Sequence, residues 1–236
     1  HALYAFRDES FLVLEYAPHG TLLSVVNKAA NAGFAQQGGS LDELLVIFFT
    51  AELLRLLEGI HRAGFIHGDL KIDNVLVRME DVPGGASKWD AAYSPAGAGG
   101  WACKGVKLAD FGRAVDTRLF PRSQRFLADW EVKGCDCPEI REGRPWTYET
   151  DYFGLAGIAY CMLFGKYIFP EAGEMWTRLF DVLLNPRMAR EDGELPICDD
   201  IADIRGEMEE WLQRNCNRAG NTLKGLLKKV ELACLR

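Results

Sequence analysis

An α+β domain, mostly helical with a few strands near its start, is the fold class that the sequence predicts. Two short apolar and aromatic runs flank a polar tetrapeptide within residues 1–17. From Ser40 onward, long segments repeat apolar residues at helical spacing. Within the helical part lies a polar turn, His67-Gly68-Asp69-Leu70-Lys71-Ile72-Asp73-Asn74, which no helical or strand period explains.

The elements follow in chain order. Leu3-Tyr4-Ala5-Phe6 and Phe11-Leu12-Val13-Leu14-Glu15-Tyr16, joined through Arg7-Asp8-Glu9-Ser10, read as a hairpin. Pro18-His19-Gly20 breaks it, and Thr21 caps a helix to about Ala32. Ser40, with Glu43 three residues on, has a capping-box pattern opening a helix to Arg62. Its apolar side is Leu45, Phe48, Phe49, Leu53, Leu56, Leu57 and Ile60, and Gly64 ends it. Val75-Leu76-Val77 and Val106-Lys107-Leu108-Ala109 read as two strands. The intervening 79–105, rich in Gly, Pro and Ala without apolar period, reads as a surface insertion. From Tyr148 an all-round apolar run predicts a buried helix, and later helices are expected over 174–184, 201–214 and 221–235.

Composition narrows the function. The 236 residues suffice for one good-sized domain, and 48% apolar with 26% charged is ordinary for a globular protein. A net charge of −7 argues against binding nucleic acid by phosphate neutralisation. Seven cysteines at irregular spacing, with no C-x-x-C pair, support neither a zinc clip nor a redox motif and suggest reduced thiols. No run is long and apolar enough to span a bilayer, and a chain opening on His1 reads as a fragment.

The polar turn carries chemistry. Phosphoryl transfer needs phosphates held in line, their charge neutralised, and a carboxylate at the acceptor hydroxyl. Asp69 is placed to orient that hydroxyl, Lys71 to lay a cation on the transferred phosphate, and Asn74 to give an oxygen to Mg²⁺. Asp110-Phe111-Gly112 follows the next strand, where Asp110 would be a second metal ligand. A lone Asp-Phe-Gly is commonplace, but the ordered set is not. Asp73 reads as a solvated loop residue.

This ordered set resembles eukaryotic protein kinases, joined by Cys137-Pro138-Glu139 and by Asp151-Tyr152-Phe153-Gly154 opening the buried helix. The resemblance implies a protein-kinase-like fold, with 1–19 the last strands of the N-lobe and the hinge, and 20–236 the helical C-lobe. It implies an activation segment over 110–139 and a nucleotide site in which Leu14 is the gatekeeper, Glu15, Ala17 and Leu76 meet adenine, and Thr21 lies near the ribose. ATP and Mg²⁺ would be the cofactors. Asp151 would anchor the catalytic-loop backbone, and Glu139 would pair with Arg218 or Arg214.

Asp110-Phe111-Gly112-Arg113-Ala114-Val115-Asp116, Pro145-Trp146-x-Tyr148, and Tyr160-Cys161-Met162-Leu163-Phe164-Gly165 look like the Bub-type mitotic checkpoint serine/threonine kinases. That likeness implies protein substrates, chromatin or histone among them, checkpoint proteins as partners, and a nuclear, kinetochore and cytoplasmic setting, without direct nucleic-acid or membrane binding.

Two departures from the pattern stand out. Gly68 replaces the arginine that usually meets an activation-segment phosphate. The segment is therefore expected to be ordered by its own packing on Leu119, Phe120, Phe126 and Trp130, and alanine at Thr117 and Ser123 should leave activity nearly unchanged. The chain also has no Gly-rich loop or strand lysine before the hinge, so as it stands it should bind ATP poorly and turn over little. A pseudokinase scaffold and a small-molecule kinase of the aminoglycoside or choline type are the alternatives. Lys71 and the Cys-Pro-Glu block favour protein substrates.

Overall fold

The computed structural model describes residues 1–32, 41–134, 136–164, 174–187, 198–217 and 222–235. Strands β1 (Ala2–Ala5) and β2 (Ser10–Val13) form an antiparallel hairpin, with Ala2 opposite Val13 and Ala5 opposite Ser10. Helix α1 (Leu22–Ala32) follows; the Thr21 hydroxyl accepts the Ser24 N–H at 3.3 Å, the cap expected of it.

Helix α2 (Glu43–Arg62) is the axis of the fold. Its N-cap is Asp42, whose carboxylate accepts the Leu44 N–H at 3.0 Å, while Ser40 lies outside the described residues. Asp42 wins because its oxygen reaches the second free N–H of a helix that starts at Glu43. Leu45, Phe49, Leu53 and Leu57 are buried as the period predicts, and so are Val46, Ile47 and Leu54 on the other faces. The helix is wrapped on several sides, so the amphipathic pattern understates its burial. Arg62 and Ala63 finish it, and Gly64 at φ +84° turns the chain.

Strand β3 (Phe65–Ile66) leads into the polar turn, which closes in a 3₁₀ turn at Ile72–Asn74. Strand β4 (Val75–Met79) and β5 (Lys104–Leu108) pair antiparallel, from Val75 opposite Leu108 to Met79 opposite Lys104. The connection between them corrects the surface reading. Trp89, Tyr93 and Trp101 are each at most 5% exposed and join the main core, with Tyr93 and Trp101 set about 6 Å from the Phe48 ring of α2. Three aromatic anchors at irregular spacing pin to the core a loop whose other residues are mostly exposed, and no period reveals them.

Strand β6 (Val115–Asp116) pairs with β3. Helices α3 (Pro138–Arg141), α4 (Glu149–Phe164), α5 (Glu174–Leu184), α6 (Cys198–Asn215) and α7 (Leu223–Cys234) complete the body. Each buried Leu, Ile or Phe of the shared core stabilises by about 1.5–3 kcal/mol. A smaller cluster of Ile66, Cys137, Ile140 and Trp146 sits beneath the segment 110–139. Burial pushes the Cys137 thiol up to about 11, which keeps it protonated and unreactive. No helix among the described residues is long and apolar enough to cross a membrane.

Candidate active site

The polar turn is held from below by one carboxylate. Asp151, in the first turn of α4 and fully buried, accepts the His67 N–H at 2.8 Å, the Gly68 N–H at 2.9 Å and His61 Nε2 at 2.9 Å. This is the anchoring expected of Asp151. Gly68 adopts φ +78°, and a Cβ there would stand 2.4 Å from the Arg113 carbonyl oxygen, so only glycine fits.

His67 is fully buried and reaches both ways. Its Nε2 meets the Ala109 carbonyl at 3.0 Å, and Nδ1 accepts the Asp69 N–H at 3.3 Å. That pair of partners assigns the proton to Nε2. The ring also lies 4.7 Å from Phe111, which ties the turn to the Asp-Phe-Gly run.

Asp69, Lys71 and Asn74 are brought together. Lys71 Nζ stands 2.7 Å from Asp69 Oδ2. Asn74 Nδ2 donates to the Asp69 carbonyl at 2.9 Å and to Oδ2 at 3.2 Å. With its amide nitrogen turned to Asp69, the buried Asn74 leaves its oxygen directed elsewhere, as a cation ligand requires. Asp110 has φ +61°, the single positive φ among the described non-glycine residues, and its carboxylate is exposed. The strand end bearing it is fixed to Asn74 by the Ala109 N–H to Asn74 carbonyl bond at 2.9 Å.

Two oxygen donors on adjoining backbone fit Mg²⁺, which commonly takes one or two protein ligands and completes its shell with water and substrate phosphate. No group of three or more His, Cys, Asp or Glu able to hold a metal occurs among the described residues, so a self-sufficient protein cage is not what these residues form.

The remaining expected positions divide. Thr21 and Leu76 face each other across an isolated bridge, reinforced by the Val77 N–H to Gly20 carbonyl bond at 2.9 Å. Ala17 is half-buried beside them, its carbonyl accepting the Gly20 N–H at 3.4 Å. Leu14 is 63% exposed. The Glu15 carboxylate pairs with Lys107 Nζ at 2.7 Å, and the lysine's hydrogen bond holds it below its ordinary pKa. Asp73 is exposed, as expected of a solvated residue.

Segment 110–139 corrects several expectations. Leu119 is 77% exposed and anchors nothing, and Phe120 is exposed apart from an edge contact with Phe126. Phe126 is fixed by paired backbone bonds to Trp146, each 2.9 Å, and Trp130 packs 5.7 Å from the same indole. Glu139 pairs with Arg144 at 3.5 Å rather than with Arg214, which turns to Glu210; Arg218 lies outside the described residues. The turn at Gly143 brings Arg144 back over Glu139, whose carbonyl accepts the Arg144 N–H at 2.8 Å. Glu149, 5% exposed, is also ion-paired, to Arg125 at 2.9 Å and to Arg187 at 3.3 Å.

Sequence reasoning missed two residues at the site. Arg113 Nη1 lies 3.5 Å from Asp69 Oδ1 and 3.5 Å from Asp136 Oδ1. Arg113 has a partial signal, a basic residue directly after Gly112 in a chain with no arginine at 68, and Asp136 has none.

Comparison with known proteins agrees with this geometry. The family described as protein kinase domain matches residues 2–229. The spindle assembly checkpoint serine/threonine-protein kinase bub1 of Schizosaccharomyces pombe is 45% identical, over 98% of this chain and 24% of that protein. The BUB1 counterpart of Saccharomyces cerevisiae is 41% identical, over 89% of this chain and 22% of its own length. The chain thus spans about a quarter of the curated relatives it matches. The crystal structure of the BubR1 kinase domain superposes with a TM-score of 0.67 at 25% identity, covering 94% of this chain and 63% of that one. The chain belongs to the protein kinase family, and over nearly its whole length it is similar to the Bub1 checkpoint kinases.

Proposed function

We propose that this chain is the larger, substrate-facing part of a serine/threonine protein kinase that moves the γ-phosphate of ATP to protein hydroxyls in mitotic checkpoint signalling. The observation that carries the reading is the turn at 67–74, where Lys71 and Asn74 converge on the Asp69 carboxylate.

Asp69 orients the acceptor hydroxyl and takes up its hydrogen bond. Lys71, already on Asp69 Oδ2, stabilises negative charge that develops between acceptor and phosphate. Asn74 and Asp110 would hold Mg²⁺, which neutralises phosphate charge when bound. Leu76 and the backbone near Ala17 would meet adenine and Thr21 the ribose, with the exposed Leu14 and Glu15 beside them. Cys137-Pro138-Glu139 and Lys71 favour protein over small-molecule acceptors. The kinetochore setting, the checkpoint partners and a chromatin or histone substrate rest on similarity to the checkpoint kinases named above.

The test uses the full-length protein with radiolabelled ATP, Mg²⁺ and protein acceptors, including histones. Transfer to serine or threonine that falls by about 10²-fold or more in Asp69→Asn, the range of general-base loss, supports the reading. Transfer to a small alcohol instead, or no transfer by the wild type, overturns it.

A further inference from the structure

Arg113 joins the segment 110–139 to the Asp69 carboxylate. Arg113 is only 20% exposed, and its Nη1 stands between two carboxylates, Asp69 Oδ1 and Asp136 Oδ1, at 3.5 Å from each. The face of its guanidinium lies 4.4 Å from the centre of the Trp130 ring. Asp136 is 8% exposed and is itself fixed, since its Oδ2 accepts the Lys133 N–H at 2.7 Å. Trp130 rests on Trp146, which the bridge to Phe126 secures.

Gly68 belongs to the same arrangement. The Arg113 carbonyl occupies the space that any side chain at 68 would need. An arginine at 68 and Arg113 in its present place exclude each other sterically.

We infer that Arg113 is a positioning residue for Asp69, with the Asp136 carboxylate filling the place that a phosphate on this segment would otherwise take. The inference deepens the kinase reading and rests on it. The planar guanidinium can serve both carboxylates while stacked, which a lysine ammonium cannot. Asp136 is encoded in the chain rather than installed by another enzyme, so the site is assembled without a modification. The Thr117 hydroxyl is already committed, donating to the Gly64 carbonyl at 2.8 Å and lying 3.1 Å from the Tyr148 hydroxyl.

The experiment compares full-length wild type with Arg113→Met, Arg113→Lys, Asp136→Asn and the Met/Asn double variant. Steady-state kinetics are measured before and after phosphatase treatment, together with amide hydrogen exchange over 126–137. Wild-type kcat should be unchanged by the phosphatase. Arg113→Met should lower kcat roughly 30-fold with KM for ATP within about twofold, the pattern of an interaction that matters in the transition state. Arg113→Lys should recover about a third of the loss on a logarithmic scale. Asp136→Asn should fall in between, and the double variant should be no worse than Arg113→Met, because the residues act as one unit. Exchange over 126–137 should quicken in Arg113→Met and Asp136→Asn alike.

Equal kcat in Arg113→Met and wild type, additive losses, or a wild type that phosphatase silences would overturn the inference. A wild type that transfers no phosphate would defeat the kinase reading itself. The exchange measurement would then decide the tether by itself, and unchanged exchange in both single variants would sink it.

Discussion

Three donors converge on one carboxylate beneath the catalytic turn: the His67 and Gly68 N–H groups and the His61 ring all end on Asp151. All lie out of water, so a missing acceptor cannot be replaced by solvent. Asp151→Asn keeps the shape but turns one acceptor into a donor facing other donors. It should cost about 2–4 kcal/mol, above the usual penalty of one unsatisfied buried group because a charge-assisted contact is lost as well. Urea unfolding reads this as a lower midpoint at an unchanged slope; a midpoint equal to wild type would show that the carboxylate is not the anchor. The residues with motif chemistry, Asp69, Lys71, Asn74 and Asp110, were legible in sequence because their spacing is set by the chemistry. Arg113 and Asp136 were not, because their partnership spans 23 residues and is made by the path of the chain between them.

At the scale of elements, α4 shows how helix and turn are matched. Gly154 lies on the face of α4 against the turn, and a Cβ there would stand 2.2 Å from the Leu70 carbonyl oxygen. In an isolated helix, alanine would improve on glycine by about 1 kcal/mol. Here close approach should win: Gly154→Ala should destabilise by about 1–3 kcal/mol, as overpacking does. In the full-length kinase it should also lower kcat, because Leu70 is next to Asp69. A variant more stable than wild type would mean that the approach is looser than described. The hairpin, α2, α4 and the later helices were legible from period and punctuation. The connection 79–105 was not: its buried Trp89, Tyr93 and Trp101 follow no spacing, and its composition is that of an open loop.

Across the whole molecule, charge is buried where α2 meets α6. Arg55 bridges Glu52 and Glu209, and Arg205 bridges Glu58 and Glu209. Burial raises the Glu52 carboxyl above its ordinary pKa, outweighing the attraction of Arg55. The sign follows from linkage: below the unfolded pKa both states hold the proton and Glu52 costs nothing extra. As pH rises through the raised folded pKa, the favourable contribution of proton binding to the folded state is lost. Glu52→Gln should therefore gain on wild type between about pH 4 and pH 7. Urea midpoints for both proteins at the two pH values check this, and a gap that shrinks toward neutrality would contradict it. At the opposite end, β1 and β2 hold Leu3, Tyr4, Phe11, Leu12 and Val13 more than half exposed, an apolar surface that the described residues leave uncovered.

The sequence by itself determined membership of the protein kinase family, the positions of the motif residues Asp69, Lys71, Asn74 and Asp110, the order of the longer helices and of the β1, β2, β4 and β5 strands, and the capping of α1 by Thr21. These are local properties, fixed by periodicity and by the short spacing that phosphoryl transfer demands. Only the tertiary structure decided that Glu139 closes on Arg144, that Glu149 pairs with Arg125 and Arg187, and that Arg113 joins Asp69 to Asp136. Pairings of charges depend on which segments meet when the core packs. Many arginines and carboxylates are equivalent in sequence, and proximity in space selects among them.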